Sequence, residues 1–226
     1  MGKIVTTKME GNTEQYLVNL APKPHGTLCK IGTKHGTDKA NHDRTDGLCY
    51  LDIYESYFKN FKDKEVNILE IGVRTGNSVF TWKEYFSKAN IFGVDINTSC
   101  KQFEGERIKI VIGDATDVKT INEINPSEIK YDIIIDDGSH INLDIITSFN
   151  LLWDKLSDGG LYIIEDLHNS YGVDRDILGD AAGTPANKRE DISIFFDSLI
   201  REVDTPFKNK LSIHFWRHIC IIIKSS

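Results

Sequence analysis

Acidic residues and a histidine follow a run of isoleucines near the middle of the chain. Residues 131–140 read YDIIIDDGSH, an apolar β-branched run typical of a buried parallel strand, followed at once by a polar end. Ligands of open α/β sheets bind just outside the carboxyl ends of the strands. Carboxylates such as Asp137 suit a hard divalent cation, and His140 could accept a proton. This segment therefore predicts a reactive site at the end of a central strand.

A second segment, residues 160–168, repeats the pattern as GLYIIEDLH. Two neighbouring strands that each end in acids would bring Asp137, Glu165 and Asp166 together beside His140. Asp136 points to the opposite face of its strand, so we expect it to accept backbone hydrogen bonds rather than to bind a cation. A simpler interpretation of His140 is that it caps the following helix.

The turn after the first predicted strand reads EIGVRTG, from Glu70 to Gly76. It matches neither the dinucleotide pattern GxGxxG nor a phosphate-binding P-loop, and an acid two residues before Gly72 suits a ligand with an amino group. Asp95 ends the second predicted strand, where an acid can accept hydrogen bonds from ribose hydroxyls. Asp114 ends the third, where an acid could accept a hydrogen bond from an adenine amino group. Alone, each could be a tight connection or a helix-capping acid. Together, three acids at three successive strand ends predict a ligand with ribose and adenine groups.

Composition limits the function further. The 226 residues include 27 Lys and Arg against 34 Asp and Glu, which gives a net charge of −7. This balance, without any basic run, argues against a nucleic-acid partner. No apolar run approaches the roughly 20 residues that cross a bilayer, and residues 1–11 lack the apolar core of a signal peptide. We expect a soluble cytoplasmic protein with no membrane partner, and leave a homo-oligomer open.

The four cysteines are scattered along the chain, with no CxxC spacing between any pair. This arrangement signals neither a zinc site nor a redox pair, and free thiols in a reducing cytoplasm are expected rather than disulfides. The cysteines are Cys29, Cys49, Cys100 and Cys220.

Strand and helix patterns alternate from residue 66 onward, which predicts an α/β fold with a doubly wound, mostly parallel, Rossmann-like sheet of seven strands. No helix pattern separates the last two strands, so we expect an antiparallel edge strand. Residues 1–62 are predicted to form an N-terminal arm and helical lid, a short helical extension to a main domain at residues 63–226. The loop of residues 168–187, rich in Gly and Asp, is expected to order over the bound acceptor.

These motifs resemble those of class I S-adenosylmethionine-dependent methyltransferases. Within that class, the IDDGSH and IEDL stretches resemble the metal-dependent sugar O-methyltransferases of the mycinamicin and tylosin type. The loop GTDK at residues 36–39 is also similar to that subgroup. Arg74 departs from the class pattern, because many members carry a glycine there.

The resemblance implies a role for each candidate residue. S-adenosylmethionine and Mg²⁺, or another divalent cation, are the implied cofactors, and His140 is the implied general base. The implied metal ligands are Asp137, Glu165 and Asp166, and the implied cofactor-binding residues are Thr37, Glu70, Gly72, Asp95, Asp114 and Asp136.

The predicted reaction is methyl transfer to a sugar hydroxyl of a small-molecule or nucleotide-linked acceptor in glycan or natural-product biosynthesis. A cation lowers the pKa of a bound hydroxyl, and a histidine can then remove the proton. Two alternatives stay open. One is a methyltransferase of the same fold with a non-sugar acceptor, a catechol or an amine. The other is a non-catalytic nucleotide-binding protein.

Overall fold

A computed structural model describes residues 4–7, 15–18, 25–40, 49–171, 187–205 and 211–225 of the chain. Within the predicted N-terminal arm, two short antiparallel strands pair as β1 (Ile4–Thr7) and β2 (Gln15–Val18). Residues 172–186, most of the predicted ligand-ordered loop, lie outside the described residues.

The centre of the molecule is a seven-stranded sheet in the spatial order β5-β4-β3-β6-β7-β9-β8. The five strands from β5 to β7 are parallel, and β9 runs antiparallel to both of its neighbours, β7 and β8. The predicted doubly wound sheet with antiparallel pairing at one edge is therefore confirmed. Its strands are β3 (Asn67–Ile71), β4 (Asn90–Asp95), β5 (Ile108–Ile112), β6 (Tyr131–Asp136), β7 (Leu156–Ile164), β8 (Leu211–Trp216) and β9 (Ile219–Lys224).

Helices cover both faces of the sheet, and this explains why the isoleucine run of β6 is buried throughout. Alternate residues of each strand enter two separate cores: Ile133 packs with Tyr54 and Trp82, whereas Ile134 packs with Ile121 and Phe149. The helices are α1 (Thr27–His35), α2 (Tyr50–Phe58), α3 (Asn77–Tyr85), α4 (Val118–Ile124), α5 (Asn142–Leu152) and α6 (Arg189–Asp204). In the described part of the chain, none of them has the length and apolarity needed to span a bilayer.

Strand β7 begins before its apolar run. Asp158, Gly159 and Gly160, which are residues typical of a turn, lie inside it. Between β6 and β7 the register moves from the pair Tyr131 and Leu156 to the pair Ile133 and Leu161, so β7 carries extra residues in a bulge. Gly159, with φ of 77°, adopts the left-handed conformation that this bulge requires.

The loop after α1 brings the N-terminal helices to the sheet. Gly36 ends α1 in the left-handed conformation, with φ of 74°, and its N–H bonds the carbonyls of the last turn. Residues 37–40 then turn inward, so that Thr37 and Lys39 are each only 3% exposed. The helical extension is therefore packed into the same structure as the sheet it precedes.

Candidate functional site

A cleft of about 480 Å³ lies at the carboxyl ends of the central parallel strands. Small-molecule sites typically occupy 300–1,000 Å³, so the cleft has room for a cofactor-sized ligand. Its walls come from four strand ends and from the loop after β7. The lining includes Gly72, Asp95, Asp114, Asp136, Asp137, His140 and Asp166.

Gly72 directly follows β3 and lies against Asp137, the residue that follows β6. Its φ is 88°, and a Cβ placed there would lie 2.0 Å from the backbone oxygen of Asp137. Any other residue at this position would therefore push the two strand ends apart. Because Gly72 has no side chain, a ligand in the cleft can approach the backbone at this position.

Asp95 is fixed by amides from its own neighbourhood. One carboxylate oxygen accepts from the N–H of Arg74 at 2.8 Å, and the other accepts from the N–H of Asn97 at 2.7 Å. A carboxylate has about four acceptor positions, so capacity remains for ligand hydroxyls.

Asp114 is exposed at the rim of the cleft. Its Oδ1 accepts from the backbone N–H of Thr116 at 2.8 Å and from the hydroxyl of Thr116 at 2.7 Å. This is a local turn in which the side chain bonds two residues onward. The structure thus brings Asp95 and Asp114 to one cleft, as the strand-end pattern predicted.

Glu70 lies beneath the cleft rather than in its wall. The side chain is wholly buried, and Oε2 accepts hydrogen bonds from Ser78 at 2.9 Å and from the Trp82 indole at 3.0 Å. Burial raises the pKa of Glu70 to about 7, against the opposing effect of the Lys39 charge. Glu70 is not among the residues that line this cleft, and its expected contact with the cofactor stays a prediction.

Asp136 faces the second core, as the alternation along β6 predicted. Its carboxylate accepts from the Ser148 hydroxyl of α5 and, at 3.4 Å each, from the Tyr162 hydroxyl and the Gly138 N–H. Burial raises the pKa of Asp136 to about 6. It lines the cleft from below and supports the turn that carries Asp137.

Lys39 is the residue that the sequence did not single out. Its ammonium bonds the carboxylates of Asp137 and, at 2.9 Å, Glu165, and it lies 3.8 Å from Oε1 of Glu70. Burial would lower the pKa of Lys39, but these three acids outweigh it and raise the pKa well above its ordinary value. Three acids at the ends of three strands therefore surround the buried ammonium of Lys39.

Asp137, His140 and Asp166 form a group of side chains that could bind a metal ion. One atom from each lies within 4.8 Å of the others, and His140 Nε2 is 3.9 Å from an oxygen of each acid. His140 and Asp166 have φ of 56° and 53°, the left-handed region that non-glycine residues rarely adopt. Strained backbone of this kind clusters at active sites, where the surrounding structure over-determines it. Tyr50 of α2 orients Asp166 by donating to its Oδ1 at 2.7 Å.

The three predicted cation ligands are thus not equivalent. Asp137 and Asp166 face the cleft beside His140, whereas Glu165 is 2% exposed and bonded to Lys39. Among the described residues, Oε1 of Glu165 is buried without a hydrogen-bond partner. Two cleft-facing carboxylates and an unsatisfied buried oxygen fit the oxygen ligands that Mg²⁺ prefers.

Thr37 lies in a smaller pocket of about 200 Å³ that adjoins the cleft through Gly72 and Asp137. Its hydroxyl accepts weakly from the N–H of Lys39 at 3.4 Å. The residues of the GTDK loop therefore connect the two pockets.

Comparison with known proteins supports the resemblance noted in the sequence. No protein-family model matches the chain. It is 35% identical over 151 residues to the 8-demethyl-8-alpha-L-rhamnosyl tetracenomycin-C 2'-O-methyltransferase of Streptomyces olivaceus, covering 64% of this chain and 38% of that protein. It is 36% identical over 125 residues to the mycinamicin VI 2''-O-methyltransferase of Micromonospora griseorubida, covering 52% of this chain and 31% of that protein.

The fold is shared with a solved methyltransferase. The MycE methyltransferase from the mycinamycin pathway, in complex with Mg, SAH and mycinamycin VI, matches with a TM-score of 0.73 at 27% identity. The match covers 88% of this chain and 54% of that chain. The chain therefore has the Rossmann-like fold of class I methyltransferases and resembles the mycinamicin type. It spans about half the length of this relative, and less of the two others.

Proposed function

We propose that the chain is a metal-dependent O-methyltransferase that transfers the methyl group of S-adenosylmethionine to a sugar hydroxyl. One observation carries the proposal: a single cleft is lined at one end by Asp95 and Asp114 and at the other by Asp137, His140 and Asp166. The first pair suits the ribose and adenine of the cofactor, and the second group suits activation of a hydroxyl. The names of the relatives support methyl transfer to a sugar hydroxyl, and the Mg and SAH bound to MycE support the two cofactors.

In this proposal, the cofactor lies over the ends of β3, β4 and β5. Asp95 accepts hydrogen bonds from ribose hydroxyls with the acceptor capacity that Arg74 and Asn97 leave. Gly72 lets the ligand pass close to the backbone. The bound cofactor supplies an electrophilic methyl group on a sulfonium, so the chain mainly has to align the reacting atoms.

Asp137 and Asp166 are the residues that would hold Mg²⁺ in the cleft, with Glu165 as a further carboxylate behind them. When bound, the cation supplies Lewis-acid chemistry that lowers the pKa of an acceptor hydroxyl. The ammonium of Lys39 balances the remaining negative charge of this cluster.

His140 acts as the general base. Its Nε2 lies 3.9 Å from both Asp137 and Asp166, so a proton taken from the acceptor produces an imidazolium between two acids. Nearby negative charge stabilises that cation. A positioned base of this kind contributes about 10²–10⁴-fold to the rate.

The test is a methyl-transfer assay with labelled S-adenosylmethionine and a panel of acceptors. We expect turnover on sugar-bearing natural products or nucleotide sugars, loss of turnover in EDTA and recovery with Mg²⁺. His140→Ala should lower turnover by about 10²–10⁴-fold. His35→Ala is the matched control, because His35 is 25% exposed, against 26% for His140, but pairs with Glu84 instead.

Three results would overturn parts of the proposal. Turnover that EDTA leaves unchanged removes the cation from the mechanism. Turnover on catechols or amines alone removes the sugar acceptor. Full activity of His140→Ala removes the histidine base.

A further inference from the structure

A second cluster of metal-ligating side chains lies outside the cleft, where the first two helices begin. Cys29 is in the first turn of α1, Cys49 precedes the first residue of α2, and His25 and Asp52 lie beside them. One ligand atom from each of the four lies within 4.8 Å of all the others.

The four side chains combine buried sulfur with accessible nitrogen and oxygen. Cys29 and Cys49 are 2% and 4% exposed, and their Sγ atoms are 2.8 Å apart. Two thiolates on one tetrahedral zinc lie about 1 Å farther apart than this, so the pair has to open when an ion binds. His25 Nδ1 is 2.7 Å from Oδ2 of Asp52, and these side chains are 47% and 35% exposed. An ion could therefore enter from the His25 side and reach the two thiols.

The four residues have the spacing of zinc ligands if histidine and aspartate are counted together with cysteine. Three residues separate His25 from Cys29, and two separate Cys49 from Asp52. Zinc ligands commonly occur as two such close pairs joined by a longer segment. The cysteines alone lack this spacing, which is present only when His25 and Asp52 are counted with them.

We propose that His25, Cys29, Cys49 and Asp52 bind one Zn²⁺ ion. Two thiolates, an imidazole and a carboxylate are all ligands that zinc accepts, and four protein ligands close a tetrahedral structural site. Soft sulfur ligands select against Mg²⁺, which separates this site from the acidic cleft.

The ion would fasten α1 to α2 and so hold the loop that carries Lys39. Cys49 Sγ lies 3.8 Å from the carbonyl oxygen of Lys39. Cysteine binds zinc as the thiolate, so zinc uptake should release the protons of the two thiols.

The first experiment measures metal content. The full chain is purified under reducing conditions without chelators, loaded with Zn²⁺, dialysed and analysed by elemental mass spectrometry. We expect about one zinc per chain, at least a tenfold lower content in Cys29→Ser and Cys49→Ser, and full content in Cys220→Ser. Asp166→Asn should retain zinc, because it alters only the cleft.

The second experiment does not depend on variants that fold poorly. Co²⁺ replaces Zn²⁺ in the wild-type chain, and the absorption spectrum is recorded. Tetrahedral coordination by two thiolates predicts thiolate-to-cobalt charge-transfer bands and intense visible bands, and Asp52→Asn should weaken Co²⁺ binding. Reduced wild-type protein that binds neither ion, or that keeps its zinc in both cysteine variants, overturns the proposal. A Cys29–Cys49 disulfide that, once reduced, leaves a chain unable to bind zinc also overturns it.

Discussion

The two halves of the sheet's carboxyl edge hold their acids in different ways. At the ends of β4 and β5, Asp95 and Asp114 are satisfied by neighbours such as Asn97 and Thr116, only two residues onward. At the ends of β6 and β7, Asp137 and Glu165 each accept a hydrogen bond from Lys39, which is 98 and 126 residues away in the chain.

This difference has an energetic consequence. Local bonds at an exposed edge form with little loss of water, so each contributes modestly. Glu165 is buried and Asp137 is partly buried beside one cation, and removing that cation would leave poorly hydrated negative charge. In the half that we assign to the cofactor, each acid is thus held by its own local hydrogen bonds. In the half that we assign to catalysis, the acids depend on Lys39, which is distant in the sequence.

The largest effect should come from removing the shared cation. Lys39→Met leaves three acids without their buried partner, and we expect a loss of roughly 3–5 kcal/mol in the free energy of unfolding, measured by urea denaturation without divalent cations. Mg²⁺ should restore more stability to this variant than it adds to the wild type. The control, Lys34→Met, removes an exposed pair with Glu84 and should cost no more than about 1 kcal/mol. Equal, small losses in both variants would remove the distinction between the halves.

A second effect follows from Glu70, which has a folded-state pKa raised to about 7 from its ordinary 4.5. The folded protein then binds more protons than the unfolded chain between these values. Stability is therefore greatest below about pH 4.5 for this group and falls as pH rises towards 7, by something on the order of 3 kcal/mol.

Thermal unfolding of the cofactor-free protein between pH 5 and 8 checks this expectation. Glu70→Gln should flatten the decline, and Glu84→Gln should not, because the pKa of Glu84 is lowered by Lys34 and His35. Identical pH profiles for the wild type and Glu70→Gln would contradict it.

A smaller effect is expected in the half assigned to the cofactor. Asp95→Ala should weaken binding of S-adenosylhomocysteine by about 1.5–3 kcal/mol, the range for hydrogen bonds to a charged acceptor. Titration calorimetry measures this directly, with Asp197→Ala on α6 as the surface control. Unchanged affinity would remove Asp95 from the cofactor site.

The smallest effect separates local from remote bonds. Tyr50→Phe removes the hydroxyl that α2 donates to Asp166, and we expect a loss of about 1 kcal/mol in stability. Thr116→Val removes a hydroxyl bond of the same 2.7 Å length to Asp114, but at an exposed turn, and should cost less than about 0.5 kcal/mol. Urea denaturation of both variants decides whether the remote bond is the stronger one.

The same contrast explains what the sequence could predict. The period and order of the strands are local properties, and so the seven-stranded sheet and the positions of Asp95, Asp114, Asp137 and His140 followed from them. The role of Lys39 depends on how the loop between α1 and α2 packs against the ends of β6 and β7. No periodicity or spacing encodes that contact, and only its place in the GTDK loop hinted at it.

Glu70 and Glu165 also show what the sequence could not predict. Both were assigned from position at a strand end, but position does not tell whether a side chain faces the cleft or the core. The packing of α3 decides this for Glu70, through Ser78 and Trp82, and Lys39 decides it for Glu165. Their predicted contacts with cofactor and cation stay predictions.

The central claim is that cofactor binding and hydroxyl activation occupy separate halves of one edge. The most direct test measures both properties on one preparation of Asp166→Asn, a residue that is 27% exposed and faces the cleft. We expect methyl transfer in Mg²⁺ to fall at least about 100-fold, while the dissociation constant for S-adenosylhomocysteine changes less than about threefold. Affinity and turnover that fall together, or turnover that does not fall, would contradict the claim.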